Sequence, residues 1–285
     1  MSAERSYGPP RFPGRRPFAA LLAMLGIALA AAPPAAAIWP AEPYPEPGRV
    51  AAAREFAAEA PGTVSFAMID AEAGLRGYEP DAAFSSASVS KALLLAAELR
   101  RLRAEGEALD GGTRSLLESM ITVSDNDAAG AIYARVGDGG MNEVADRAGM
   151  RSFEITPGYW GGAQVTAADL ARFFFRLDGN LRGPHRRYAE RLLAGVVSTQ
   201  RWGIPEAAPG RWTVYFKGGW RPPATEETSG PVTHQAALLR DRTGRRVGLA
   251  ILTDLSPGST AYAVLEGITS RLLARPPEQP RWVAP

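Results

Sequence analysis

Two hydrophobic periodicities divide the chain. Residues 49–60 (RVAAAREFAAEA) are alanine-rich and predict a helix that stops at Pro61-Gly62. Residues 63–70 (TVSFAMID) read as a strand, and after a turn at Ala73-Gly74 a second strand runs toward Tyr78. From Ser88 to about Glu105 the spacing turns helical, with Leu93, Ala96, Ala97 and Leu99 on or near one face. Residues 113–135 hold two more helical stretches, broken around Ser124, and 141–149, 166–177 and 185–197 predict three further helices. Strands then return. Residues 211–217 alternate, and 232–240 and 245–253 are apolar strands joined at Arg242-Thr243-Gly244, which predicts a hairpin. Residues 262–273 go back to helix, with Leu265, Ile268 and Leu272 in step.

This order predicts an α+β fold with two lobes. An antiparallel sheet is built from both chain ends (49–83 and 205–273) and flanked by the terminal helices. The middle of the chain (84–204) forms a reduced, all-helical lobe, and the cleft between the lobes is a natural ligand site.

The two ends differ from the body. Residues 1–37 read as a signal peptide: Arg11, Arg15 and Arg16 precede an apolar run from Phe18 to Ala32, and Ala35-Ala36-Ala37 offers a cleavage site. The run is short for a membrane span, which needs roughly 20 residues. Arg15-Arg16-Pro17-Phe18 also resembles a twin-arginine export signal, so general secretion and twin-arginine export both stand open. Either route places the protein outside the cell, in the periplasm or at the cell wall. Residues 38–48 carry four prolines and predict an exposed linker, and the proline-rich stretch 274–285 predicts a disordered tail.

Composition narrows the chemistry. Cysteine is absent, which excludes disulfides, thiol nucleophiles and a lipid-modified cysteine. Two histidines far apart, His185 and His234, do not make a histidine-rich metal site. Beyond the leader, residues 38–285 hold 28 basic and 29 acidic side chains, so nucleic-acid binding lacks its basic footprint. Of 32 lysine and arginine residues only Lys91 and Lys217 are lysine. Lysine can lose its proton in a suitable setting and arginine cannot, so these two positions draw attention.

Three short motifs carry candidate chemistry. Ser88-Val89-Ser90-Lys91 lies where strand gives way to helix, with Ser85 or Ser86 able to cap it; a serine three residues before a lysine shares its helix face. A partly desolvated lysine there can act as base for the serine hydroxyl. Ser124-Asp125-Asn126 falls at a helix break, where a hydroxyl can pass a proton and an amide can bind a substrate carbonyl. Lys217-Gly218-Gly219 ends a strand, placing a cation beside glycines that let a substrate approach the backbone. Singly, each also reads as ordinary structure: a helix cap with a surface lysine, a turn, a strand end.

In this order the three resemble the S-x-x-K, S-D-N and K-T-G set of the serine β-lactamase and penicillin-binding superfamily. The resemblance is closest to class A β-lactamases. It extends to Phe84–Ala97 as the nucleophile helix, 109–137 as the run through S-D-N, 164–175 as the helix after the Ω-loop, and 211–253 as the K-T-G strand with its hairpin. It implies a β-lactamase/transpeptidase-like fold over most of 50–273. It also implies that Ser88 attacks a carbonyl to form an acyl-enzyme and that Lys91 is its base or part of the base relay. Ser124 then hands a proton to the leaving nitrogen, Asn126 binds a substrate amide, and Lys217 supports the relay and the substrate carboxylate. The N–H groups of Ser88 and Trp220 would form the oxyanion hole. The implied protein is a secreted, monomeric serine hydrolase of β-lactams that needs no metal or organic cofactor. The alternatives are a D-alanyl-D-alanine carboxypeptidase or penicillin-binding protein acting on peptidoglycan stem peptides, or a slowly deacylating β-lactam sensor.

Three departures stand out. Gly218 replaces the family's hydroxyl residue; the stretch from Lys91 to Ser124 is short; and the region corresponding to the Ω-loop, 150–165, holds one acid, Glu154, as candidate deacylating base. Asp169 is assigned to the polar face or first turn of the next helix. His234 and Arg221 are candidates for a carboxylate-binding cation, and Trp160, Gly161 and Gly162 either line the cleft or form a turn under an aromatic lid.

Overall fold

The computed structural model describes residues 44–223 and 230–273. The predicted signal peptide, the first part of the proline-rich linker and the predicted tail fall outside the described residues. In chain order the elements are α1 (Pro47–Glu59), β1 (Val64–Asp70), β2 (Gly74–Tyr78), β3 (Ala83–Ser85), a 3-10 turn (Ala87–Ser90), α2 (Lys91–Glu105), α3 (Gly111–Thr122) and α4 (Asn126–Ala148). There follow β4 (Glu154–Thr156), β5 (Tyr159–Thr166), α5 (Ala167–Phe175), α6 (Leu177–Asn180), α7 (Gly183–Ala194) and α8 (Ile204–Ala207). The last elements are β6 (Trp212–Arg221), β7 (Val232–Asp241), β8 (Arg246–Thr253) and α9 (Ser259–Leu273).

The main sheet has the order β2-β1-β8-β7-β6 and is antiparallel throughout. It joins the two ends of the chain, as the strand pattern predicts: β1 pairs Phe66 with Ile251 of β8, and β7 pairs Ala237 with Leu249. The terminal helices α1 and α9 pack together, with Phe56 of α1 lying over Gly267 of α9. Helix α5 packs against β8, β1 and β7. Its Leu170, Phe173 and Phe174 are fully buried.

Helix α2 departs from the one-faced reading. Leu93, Leu94, Leu95, Ala96, Ala97, Leu99 and Leu102 are all buried, so α2 is the central helix, apolar almost all round. Its buried Glu98 is matched by Arg101, whose Nε and Nη2 donate to the carboxylate at 2.9 and 3.1 Å, and by Arg135 at 3.2 Å. A carboxylate without these partners would cost several kcal/mol to bury.

The middle of the chain is not all helical. β3, β5 and β4 form a small antiparallel sheet in the order β3-β5-β4. The stretch expected to be an Ω-loop is therefore largely a hairpin, whose turn is Pro157-Gly158 between the paired Thr156 and Tyr159. Gly158 has φ +75°, which proline followed by glycine supplies without strain. Asp169 holds the entry to this hairpin. It is buried in the first turn of α5, not on a polar face, and accepts from the N–H groups of Arg151 and Ser152 at 2.7 and 2.9 Å.

The described end of the proline-rich segment is docked. Tyr44 receives a hydrogen bond from Arg211, donates from its hydroxyl to Leu273 O, and donates from its N–H to Asp70. Helix α1 begins at Pro47, where proline needs no partner for a missing N–H.

Candidate active site

Edge strand β6 and the 3-10 turn bring the three motifs together. Gly219 sets their spacing: a Cβ there would lie 2.8 Å from Ser88 N and 2.7 Å from Val89 N. Only a residue without a side chain lets β6 pass this close to the turn. Ala87, before Ser88, has φ +45°, and Ser124 has φ +65°, so both motif loops hold non-glycine residues in the left-handed region. Ser85 and Ser86 do not cap the turn. Their hydroxyls face Gly161 O, at 3.3 and 3.5 Å, and tie the turn to β5.

The two lysines converge on Ser124. Lys91 Nζ donates to Ser124 O at 2.5 Å, Asn126 Oδ1 at 2.7 Å and Ser124 Oγ at 3.2 Å. Lys217 Nζ donates to the same Oγ at 3.0 Å and to Gly218 O at 2.8 Å. All these acceptors are neutral. Burial lowers the Lys91 pKa to about 8, with Asp125 opposing the shift. Burial, with the charge of Lys91 added, holds Lys217 well below the usual lysine range. Asp125 itself caps α4 by accepting from Ala128 N at 3.0 Å.

Ser88 is half-buried, and its hydroxyl has no hydrogen-bond partner among the described residues. It lines a small cavity of about 130 Å³ with Ala87, Asn126, Tyr159, Trp160, Gly161, Trp220 and Arg221. Trp160 lies with its ring centroid 5.0 Å from Lys91 Nζ, a cation–π distance. Thus the structure brings Ser88, Lys91, Ser124, Asn126, Lys217, Gly218, Gly219, Trp220 and Arg221 into one neighbourhood. Arg221 is partly held, donating to Ser85 Oγ at 3.2 Å and to Gly230 O.

Two candidates stand elsewhere. Glu154 is exposed on β4 opposite Gln164 and makes no ion pair or side-chain hydrogen bond among the described residues. The hairpin turns it onto the surface, leaving Trp160 beside Lys91. His234 is fully buried behind the site. Thr253 N–H donates to its Nδ1 at 3.1 Å, so Nε2 carries the proton and donates to Ser85 O at 3.1 Å. Burial lowers its pKa to about 4, so at neutral pH it is an uncharged core residue and not a carboxylate-binding cation.

Other residues join the site without any motif to announce them. Tyr159 is half exposed at the cavity mouth. Trp202 stacks on Tyr262 with centroids 4.4 Å apart, meets Trp220 edge-on at 6.0 Å, and covers the side-chain position of Gly218. Aromatic residues so far apart in sequence carry no local pattern that would group them. Among the described residues no cluster of His, Cys, Asp or Glu could hold a metal ion, and no helix is long and apolar enough to cross a membrane.

Comparisons with known proteins agree with this geometry. A family model described as the β-lactamase enzyme family matches residues 112–275. A class A β-lactamase from Bacteroides cellulosilyticus superposes with TM-score 0.69 at 14% identity, over 81% of this chain and 98% of that one. PBP-A superposes with TM-score 0.67 at 16% identity, over 80% of this chain and 96% of that one. The Mycobacterium tuberculosis protein named "Putative lipoprotein LppW" is 32% identical over 189 residues, 61% of this chain. The chain spans only 59% of that relative's length. With the fold, the three motifs and the family match in agreement, the chain belongs to the β-lactamase enzyme family.

Proposed function

We propose that the protein is an exported serine acyl-enzyme former that takes β-lactams or peptidoglycan stem peptides and releases the acyl group slowly. Ser88 Oγ attacks the amide carbonyl and gives its proton to the neutral amine of Lys91. The C–N bond then breaks, and the leaving nitrogen takes a proton from Ser124, which Lys91 replenishes across their 3.2 Å contact. The N–H groups of Ser88 and Trp220 receive the oxyanion. Lys217 holds Ser124 in place at 3.0 Å, and Arg221 offers a cation for a substrate carboxylate.

The observation that carries the slow-release reading is Trp160. Rapid hydrolysis needs a base to activate water beside the ester. Here an indole lies against Lys91, no carboxylate lines the cavity, and Glu154 is exposed on β4 outside that lining. PBP-A, a point mutant of which forms an acyl-enzyme complex with penicillin G, shares this fold and favours acyl-enzyme formation at Ser88. Fast β-lactam hydrolysis is the second reading, favoured by the assembled acylation residues and the class A fold.

Intact-mass spectrometry with excess penicillin G tests both. A stable adduct of one penicillin per chain, absent in Ser88→Ala, is expected. A transient adduct with sustained turnover would establish the hydrolase, and no adduct would remove the β-lactam reading.

A further inference from the structure

Away from Ser88, α3 and α7 border an open cavity of about 370 Å³ with an unbalanced charge. Arg114, Arg187, Arg191 and His185 line it around Tyr188, and no acidic side chain does. Arg114 and Arg191 both lie over the Tyr188 ring, at 5.4 and 5.2 Å. Helix α7 sorts its cations by face. Arg186 turns toward Asp178 and Glu190, at 3.7 and 3.9 Å, whereas Arg187 and Arg191 form no ion pair among the described residues. Arg114 spends only its Nε, on Leu109 O at 3.1 Å. Glu118, one turn along α3 from Arg114, is the acid that bears on Tyr188, and it too forms no ion pair.

The start of α7 adds to the imbalance. Helices α3, α4 and α5 begin on side chains of Asp110, Asp125 and Thr166 that accept backbone N–H bonds. Helix α7 begins on Arg182 with no side-chain cap and no acid in its first turn. No acid therefore offsets the positive end of α7, and Arg187 and Arg191 repel each other at i,i+4. Such an arrangement destabilises the free protein and is relieved by a bound anion.

We infer that this cavity is a binding site for a phosphate-bearing anion, either a soluble phosphate or the headgroup of an anionic lipid. Guanidinium forks match phosphate oxygens two at a time, and Arg114, Arg187 and Arg191 line one open cavity from exposed positions. The site is separate from Ser88 and does not depend on its chemistry.

The full chain and two variants test this. One carries Arg114→Gln, Arg187→Gln and Arg191→Gln. The other, with the same change of charge, carries Arg103→Gln, Arg151→Gln and Arg242→Gln at exposed positions outside the cavity. Inorganic phosphate and pyrophosphate are titrated by calorimetry, and binding to phosphatidylglycerol–phosphatidylcholine vesicles is followed by sedimentation. We expect saturable binding that weakens at least about tenfold in the cavity variant and less than about twofold in the control. Phosphate binding without vesicle binding identifies a soluble ligand; both together identify the headgroup. Absence of binding to either, or equal loss in both variants, overturns the site.

Discussion

Two ammonium groups on one hydroxyl make a costly arrangement, and Ser124 Oγ holds Lys91 at 3.2 Å and Lys217 at 3.0 Å with no acid between them. The cost falls when one lysine gives up its proton, which is what a base for Ser88 must do. Burial puts Lys91 at about 8, so its neutral form gains as pH rises through that value. The rate of Ser88 acylation by penicillin should therefore climb with pH and level off above about 8, as stopped mass spectrometry across pH 6–10 would read. A flat profile would exclude Lys91 as the base. Both lysines were legible in the sequence because the chain uses so few. His234 was not, since a site histidine and a core histidine look alike until the partners of each nitrogen are seen. The Thr253 N–H and Ser85 O that fix its tautomer lie 19 and 149 positions away.

At the scale of elements, the β4–β5 hairpin decides what stands beside the nucleophile. Pro157-Gly158 forms the turn, but β4 has only three residues and β5 is interrupted by Gly161 and Gly162, so periodicity could not reveal them. The consequence is that an indole and not a carboxylate meets Lys91. Replacing it tests the point from both sides. Trp160→Glu should shorten the lifetime of the penicillin adduct at least about tenfold by supplying a general base. It should also raise the Lys91 pKa, since an opposite charge favours the ammonium, and so move the rise of the acylation profile to higher pH. A faster release without the pH shift would place the new carboxylate away from Lys91. The long elements needed no such correction of type: α1, α9 and the strands β6, β7 and β8 follow from their apolar spacing. Helix α2 was recognised as a helix but not as the central one, because burial on all sides depends on neighbours the local pattern does not contain.

At the scale of the molecule, the sheet is closed by the chain's two ends, and Tyr44 is the fastener. Its four hydrogen bonds, from Arg211 and Arg76 and to Asp70 and Leu273, join the start of the described chain to β1, β2, the residue before β6 and the end of α9. At about 1 kcal/mol each, their loss should be visible. A chain begun at residue 49 should melt several degrees below one begun at Ala41, whereas equal melting would make the segment a free linker. The sheet was legible because strands cluster early and late in the sequence; the docking of Tyr44 was not, because its prolines read as an exposed spacer. The same distribution of aromatic residues has an optical consequence. Of the chain's six tryptophans, Trp160 and Trp220 line the Ser88 cavity and Trp202 packs on Trp220, and Trp160 sits 5.0 Å from an ammonium whose proton moves during the proposed reaction. A nearby positive charge alters indole emission, so the fluorescence of the unlabelled protein should record the occupancy of Ser88 in real time, making the molecule its own reporter.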